Sequence, residues 1–135
     1  MNFIDAKLDE ENGVYYAVFG QDRDTYRLKL PESKNRRDCL KPYIDKDIIL
    51  GIRPEHIHDE PELLEKYSDG LLKADVEVTE LMGTEIYLYV NVVGNAITAR
   101  VDSTSQARSG DKIQMAIDMN RVHIFDRETE QTISN

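Results

Sequence analysis

The residues of this chain best able to do chemistry are few and scattered. His56 and His58 flank Ile57 and are followed by Asp59. In an extended segment that spacing puts two imidazoles on one side with a carboxylate adjacent, the donor types of a zinc-like site. The third histidine, His123, stands far along the chain, so only folding could complete the set, and exposed loop histidines are the commoner outcome. Cys39 is the sole cysteine. With no histidine near it in sequence and a place on the apolar side of a short segment, it reads as a packing residue rather than a nucleophile. Carboxylates such as Glu77, Glu80 and Glu85 could pair as acid and base, but among 26 acidic residues such pairs carry little information and read as a solvated strand edge. The corner Arg53-Pro54-Glu55 is the remaining candidate. Pro54 lacks an N–H and biases Arg53 toward extended backbone, which holds a cation at a strand end beside Glu55. We read Arg53 there as a structural ion that fixes a junction, not as a catalyst.

Motif spacing excludes the commoner enzyme classes. No glycine is followed by lysine, so the phosphate-cradling loop Gly-x4-Gly-Lys-Ser/Thr is absent, as are Gly-x-Ser-x-Gly and His-Glu-x-x-His. A formal net charge of −9 disfavours nucleic acid and anionic membrane surfaces as partners, since both are bound through Lys and Arg. The one basic cluster, Lys34, Arg36, Arg37 and Lys41, is interrupted by Asp38 and flanked by Glu32 and Asp45, and reads as a solvated helix face. A single cysteine permits no internal disulfide and points to a reducing compartment. Neither a cleavable leader nor a run long enough to span a bilayer is present in the sequence. The expectation is a cytoplasmic, non-enzymatic protein.

The elements that must position these residues are strands. Asn2 to Leu8 alternates, Asp9-Glu-Glu-Asn-Gly13 follows as a turn in which Asn12-Gly13 is a hairpin signal, and Val14 to Phe19 returns antiparallel. A turn over 20–24 leads to a third strand over 25–30, ended by Pro31. Ser33 is a plausible N-cap for a short helix that carries Cys39 and Leu40 inward. The apolar run Ile48, Ile49, Leu50 and Ile52 reads as a buried strand stopped by Pro54. A helical turn over 63–67 ends in Ser68-Asp69-Gly70, the best internal boundary. Beyond it Leu72, Ala74, Val76 and Val78 alternate, Met82-Gly83-Thr84 breaks the strand, Glu85 to Val93 alternates again, and Gly94-Asn95 turns into 96–101. Gly110-Asp111 makes a tight turn, and 112–119 and 121–125 supply the last strands. Tyr15, Tyr16, Tyr87 and Tyr89 fall on strands, where cross-strand packing accounts for them. Roughly eight strands at this spacing predict an all-β fold built as a small antiparallel barrel or pair of barrels.

Three pieces in order, Leu50-Gly-Ile-Arg-Pro-Glu-His-Ile57, Val78-Thr-Glu-Leu-Met-Gly-Thr-Glu85 and Ser109-Gly-Asp-Lys-Ile113 with His123-Ile-Phe-Asp126, resemble the C-terminal regulatory domain of the ATP-binding subunits of sugar-importing ABC transporters. Met1-Asn-Phe-Ile4 is similar to the family's junction after its nucleotide-binding domain. The resemblance covers essentially the whole chain and lies nearer the multiple-sugar and glycerol-phosphate importers than the maltose importers. It implies an all-β, OB-like antiparallel barrel arrangement of the transport-associated (TOBE) type with one or two short helices. It implies one regulatory domain over 1–135, divisible into two intertwined OB-like lobes of about 1–70 and 71–135, with the ATPase domain, and its ATP and magnesium, absent from the fragment. By the same resemblance the partners are a second copy of the ATPase subunit, the transporter's membrane subunits through the parent, and a phosphotransferase-system regulatory protein, at the inner face of the cell membrane. Carried onto matching positions, Glu80, Gly83, Gly51, Gly110 and Phe125 are similar to family positions for regulatory contacts. Related barrels in oxyanion importers bind molybdate-like ions. An alternative reading is therefore a small-ligand module for an oxyanion or sugar, with Ser103-Thr-Ser105 before Arg108 as the anion candidate.

Overall fold

The computed structural model describes residues 1–21 and 23–135. Strands dominate: β1 (Asn2–Glu11), β2 (Val14–Gln21), β3 (Asp24–Lys29), β4 (Asp47–Ile52), β5 (Ile57–His58), β6 (Leu71–Met82), β7 (Glu85–Val92), β8 (Asn95–Asp102), β9 (Lys112–Ile117), β10 (His123–Asp126) and β11 (Thr132–Ser134). They form two antiparallel sheets, ordered β11-β10-β4-β1-β2-β3 and β5-β9-β6-β7-β8. The chain crosses between them, since β5 joins the second sheet while β10 and β11 return to the first. In the second sheet β8 packs on β5 and on the turn before it, so the strands curl toward closure.

Alternation builds the core. Ile4, Ala6 and Leu8 of β1 and Tyr15, Ala17 and Phe19 of β2 are buried, while the intervening residues face solvent or are partly covered. β4 lies between β1 and β10, and its Ile48, Leu50 and Ile52, on the face turned to the core, are fully buried. Buried residues of both sheets join in one hydrophobic cluster. Asn2 adds a polar tie between the sheets: its side-chain amide donates to the Thr98 carbonyl at 2.8 Å, and its oxygen accepts from the Thr98 N–H at 2.9 Å.

Several local expectations are corrected. β1 continues through Glu11, so the first turn is Asn12-Gly13 alone, both at positive φ (54° and 82°). The turn expected over 20–24 includes Asp22, which lies outside the described residues. The hairpin turn between β7 and β8 is Val93-Gly94, one residue earlier than the glycine-asparagine pair suggests. Val93 takes φ 49°, an uncommon conformation for a β-branched residue. Ser33 caps nothing, because Pro31 occupies the N-cap position of a 3₁₀ segment, Glu32–Asp38, that kinks at Asn35, Arg36 and Arg37. That kink corrects the solvated-face reading of the basic cluster. It turns Lys34 inward to 2% exposure while Arg36, Arg37 and Lys41 stay outside, and burial lowers the Lys34 ammonium pKa against the opposing pull of Asp118. Further 3₁₀ turns at Lys41–Tyr43, Pro54–His56 and Ser68–Gly70 and one short α-helix, α1 (Pro61–Lys66), complete the helical content between β3 and β6 among the described residues.

Candidate functional site

The outer face of the first sheet carries an aromatic group. β1 and β10 flank β4 so that Phe3 and His123 both stand opposite Gly51. Gly51 is needed for space: a Cβ there would lie 2.7 Å from Cε2 of Phe125 and 2.7 Å from Sδ of Met1. The Phe125 ring thus lies over the strand backbone. Phe3 meets it edge-on with centroids 6.1 Å apart, and His123 lies at 6.3 Å. Phe3 and Met1 remain 62% and 48% exposed, so the group faces solvent as an apolar patch rather than closing a core.

The second group lies along β6. A bulge between Val76 and Val78 shifts the pairing with β7, so that Val78, Glu80 and Met82 stand opposite Tyr89, Tyr87 and Glu85. Val78, which simple alternation places inward with Val76, is therefore turned out and is 51% exposed. Gly83-Thr84 closes the hairpin with positive φ at Gly83 (66°) alone, the type II′ pattern. Gly110, at φ 92°, sits in a turn closed by the Asp111 N–H donating to the Arg108 carbonyl at 3.0 Å. That turn lies on the other edge of β6: the Gly110 N–H donates to the Val76 carbonyl at 2.7 Å, and the Val76 N–H to the Asp111 carbonyl at 2.8 Å. The five matched residues therefore sort into two surfaces. Gly51 and Phe125 lie on the first sheet, and Glu80, Gly83 and Gly110 bound one stretch of β6.

At the corner, Pro54 opens a 3₁₀ turn, Pro54–His56, and Arg53 before it is extended (φ −75°, ψ 145°). Arg53 is exposed and forms no ion pair among the described residues. The ion pair of the corner is made by Glu55, on which Arg53 acts through its charge alone. Its own backbone N–H, then the Arg100 guanidinium, hold its carboxyl below the usual carboxylate range. Arg100 lies 2.9 Å from Glu85 and 3.9 Å from Glu55, so the tie between the corner and the meander comes from β8.

The histidines do not assemble. His123 hydrogen-bonds Asn135 at 3.0 Å on the first sheet, and His58 stacks on Tyr67 with centroids 5.4 Å apart. His56 carries a buried Nδ1 with no partner. Burial lowers the pKa of both His56 and His58. Among the described residues no group of three or more His, Cys, Asp or Glu could hold a metal ion. Cys39 is half-buried, and its thiol donates to the Lys34 carbonyl at 3.2 Å. At the anion candidate several donors are engaged within the chain. The Ser105 hydroxyl donates to Asp59 at 2.5 Å, the Thr104 N–H to the Asp102 carboxylate at 2.9 Å, and the Arg108 N–H to the Asp111 carboxylate at 2.9 Å. Three of the candidate's donors are thus taken by carboxylates, while the Arg108 guanidinium donates to the Ala107 carbonyl at 3.4 Å.

Sequence reasoning missed Gly70, whose hypothetical Cβ would stand 2.2 Å from the Ile117 carbonyl oxygen, and the Tyr43 hydroxyl, which donates to Asp126 at 2.9 Å. Neither carries a local signal, since each contact joins distant segments.

Residues 1–57 match the MalK OB fold domain and residues 69–124 the TOBE domain. The oligosaccharides import ATP-binding protein MsmX of Bacillus subtilis is 43% identical over 106 residues, 78% of this chain and 29% of that protein. The multiple sugar-binding transport ATP-binding protein MsmK of Streptococcus mutans is 31% identical over 133 residues, 98% of this chain and 33% of that protein. The chain therefore spans about a third of the length of the curated relatives it matches. A cytoplasmic molybdate-binding protein, ModG, shares the fold, with a TM-score of 0.64 at 13% identity over 91% of this chain and 94% of that one. With MalK-type OB-fold and TOBE domains and relatives of this kind, the chain belongs to the family of sugar-import ABC transporter ATP-binding proteins, as its OB/TOBE region.

Proposed function

We propose that the chain is the non-catalytic regulatory and dimerisation domain of a carbohydrate ABC importer ATPase, and that it docks regulatory partner proteins. The observation that carries this reading is where the matched residues lie. Gly51 with Phe125, beneath the open Phe3 and Met1, and Glu80 with Gly83 and Gly110 lie on two separate faces instead of converging on one cleft. A surface that spends a glycine to hold an aromatic ring against a strand, with Phe3 and Met1 left open to solvent, has the composition of a protein contact. In this reading ATP and magnesium belong to the nucleotide-binding domain of the full-length parent, which works at the inner face of the membrane beside its membrane subunits. A second copy of the subunit is the dimer partner, and a phosphotransferase-system protein is the regulator.

Calorimetric titration of the chain with a sugar-specific phosphotransferase regulatory protein tests the docking. Glu80→Lys or Phe125→Ala should weaken binding by roughly tenfold or more with circular dichroism unchanged. Equal affinity in both variants refutes the reading. Sedimentation velocity of the chain across a concentration series tests the dimer.

A further inference from the structure

We propose that the Val78–Met82 edge of β6 is a strand-addition site for an extended peptide segment that presents a basic residue opposite Glu80. β6 is paired on both sides only at its start: β9 runs beside Leu71–Asp75, and the Gly110-Asp111 turn covers Val76. From Glu77 onward β7 is its only neighbour among the described residues. The hairpin has a two-residue loop, so Met82 and Glu85 form a hydrogen-bonded pair and the alternation aims the N–H and C=O of Thr79 and Leu81 away from β7. These are the groups an added strand needs. No proline or lysine, the usual guards of a free edge, occurs between Glu77 and Met82. Instead Val78, Leu81 and Met82 are 51%, 70% and 49% exposed, three of the five large apolar side chains left open among the described residues.

Charge selects the occupant. Glu77 and Glu80 are exposed and form no ion pair among the described residues. A second copy of this chain, paired antiparallel with full overlap of the five residues, sets Glu80 against its own equivalent, and like charges directly opposite are destabilising. Two chains of net charge −9 add repulsion. A heterologous segment with a lysine or arginine at that position and apolar neighbours meets both the carboxylate and the exposed Val78, Leu81 and Met82. The identification of this segment with a regulator rests on the docking reading above; the edge geometry does not.

The probe is a fluorescent peptide with one central lysine among valines, with the same peptide carrying glutamate in place of the lysine as counterpart, read by anisotropy and by amide exchange of the full chain. The basic peptide should bind, slowing exchange at Thr79 and Leu81, and the acidic one should not. Thr79→Pro removes an outward N–H without touching the β7 ladder, a placement that edge strands tolerate, and should weaken binding by roughly tenfold or more. Glu80→Lys should exchange the preference of the two peptides. Equal affinity for Thr79→Pro, or protection that spares Thr79 and Leu81, overturns strand addition and leaves the docking reading to its own titration. Loss of regulator binding in Glu80→Lys together with such a result would mean docking by side chains alone.

Discussion

Gly51→Ala should destabilise the chain, and truncating Phe125 should reverse the sign. The new methyl would meet Cε2 of Phe125 and Sδ of Met1, each at 2.7 Å, with Cβ of His123 at 3.5 Å. Met1 is half-exposed at the chain's first position, so its thioether can swing away. The Phe125 ring is held by Phe3 and His123 and must shift. Overpacking of this kind costs about 1–3 kcal/mol. Gly51 lies in a paired strand outside the left-handed region, so alanine also gains about 0.4–1 kcal/mol from the narrower unfolded ensemble. The net loss should be roughly 0.5–2 kcal/mol. In a Phe125→Ala background the clash disappears, and Gly51→Ala should be neutral or stabilising by up to about 1 kcal/mol. Urea unfolding of the four proteins by circular dichroism closes the cycle, with a coupling of about 1–3 kcal/mol expected. Additivity within about 0.5 kcal/mol would refute the account of Gly51 as the floor under Phe125.

Gly70→Ala should be worse, because the clash is with backbone: the Ile117 carbonyl at 2.2 Å cannot rotate aside, so a loss of about 3 kcal/mol or more should show as a large drop in urea midpoint or in soluble yield. Acid should weaken the fold through His56 and His58. Burial lowers both folded pKa values, so the unfolded chain binds more protons as pH falls below about 6.5. Stability is therefore complete above that pH and declines as pH drops through the folded values; a urea midpoint flat between about pH 7.5 and 5.5 would refute this. Arg100→Ala should lose about 0.5–1 kcal/mol with its ties to Glu85 and Glu55, whereas Arg53→Ala should change the midpoint little, and the opposite ranking would restore Arg53 as the structural ion.

The strand pattern was legible because the alternations of β1, β2 and β7 are set by burial of one face, and Pro31 and Pro54 stop strands where they stand. Less legible were contacts between distant segments. Lys34 reads as surface by composition and becomes buried only because φ/ψ at Asn35, Arg36 and Arg37 break the helix around it. The corner was legible, but the partner of its ion pair was not. The proline fixed Arg53's backbone, yet the charge that pairs comes from Arg100, 45 positions beyond Glu55 in sequence, and no local spacing announces it. The matched glycines were legible as turns at 83 and 110, while the role of Gly51, close approach of a ring from β10, depends on which strand lies beside β4.

The bulge at Glu77 explains why a carboxylate can stand at Glu80 at all. Leu72, Ala74 and Val76 are buried, and an uninterrupted period of two would carry Val78, Glu80 and Met82 along the same inward line. One extra residue reverses the parity, so the alternation beyond it faces out with Tyr87 and Tyr89. Leu81, opposite Ile86, is then left on the core-side face where the sheet has run past the core, hence its 70% exposure. The same insertion twists the edge just where the Gly110 turn stops covering it. An outward acid at Glu80 and an outward Val78 thus have a single cause, one residue added to β6.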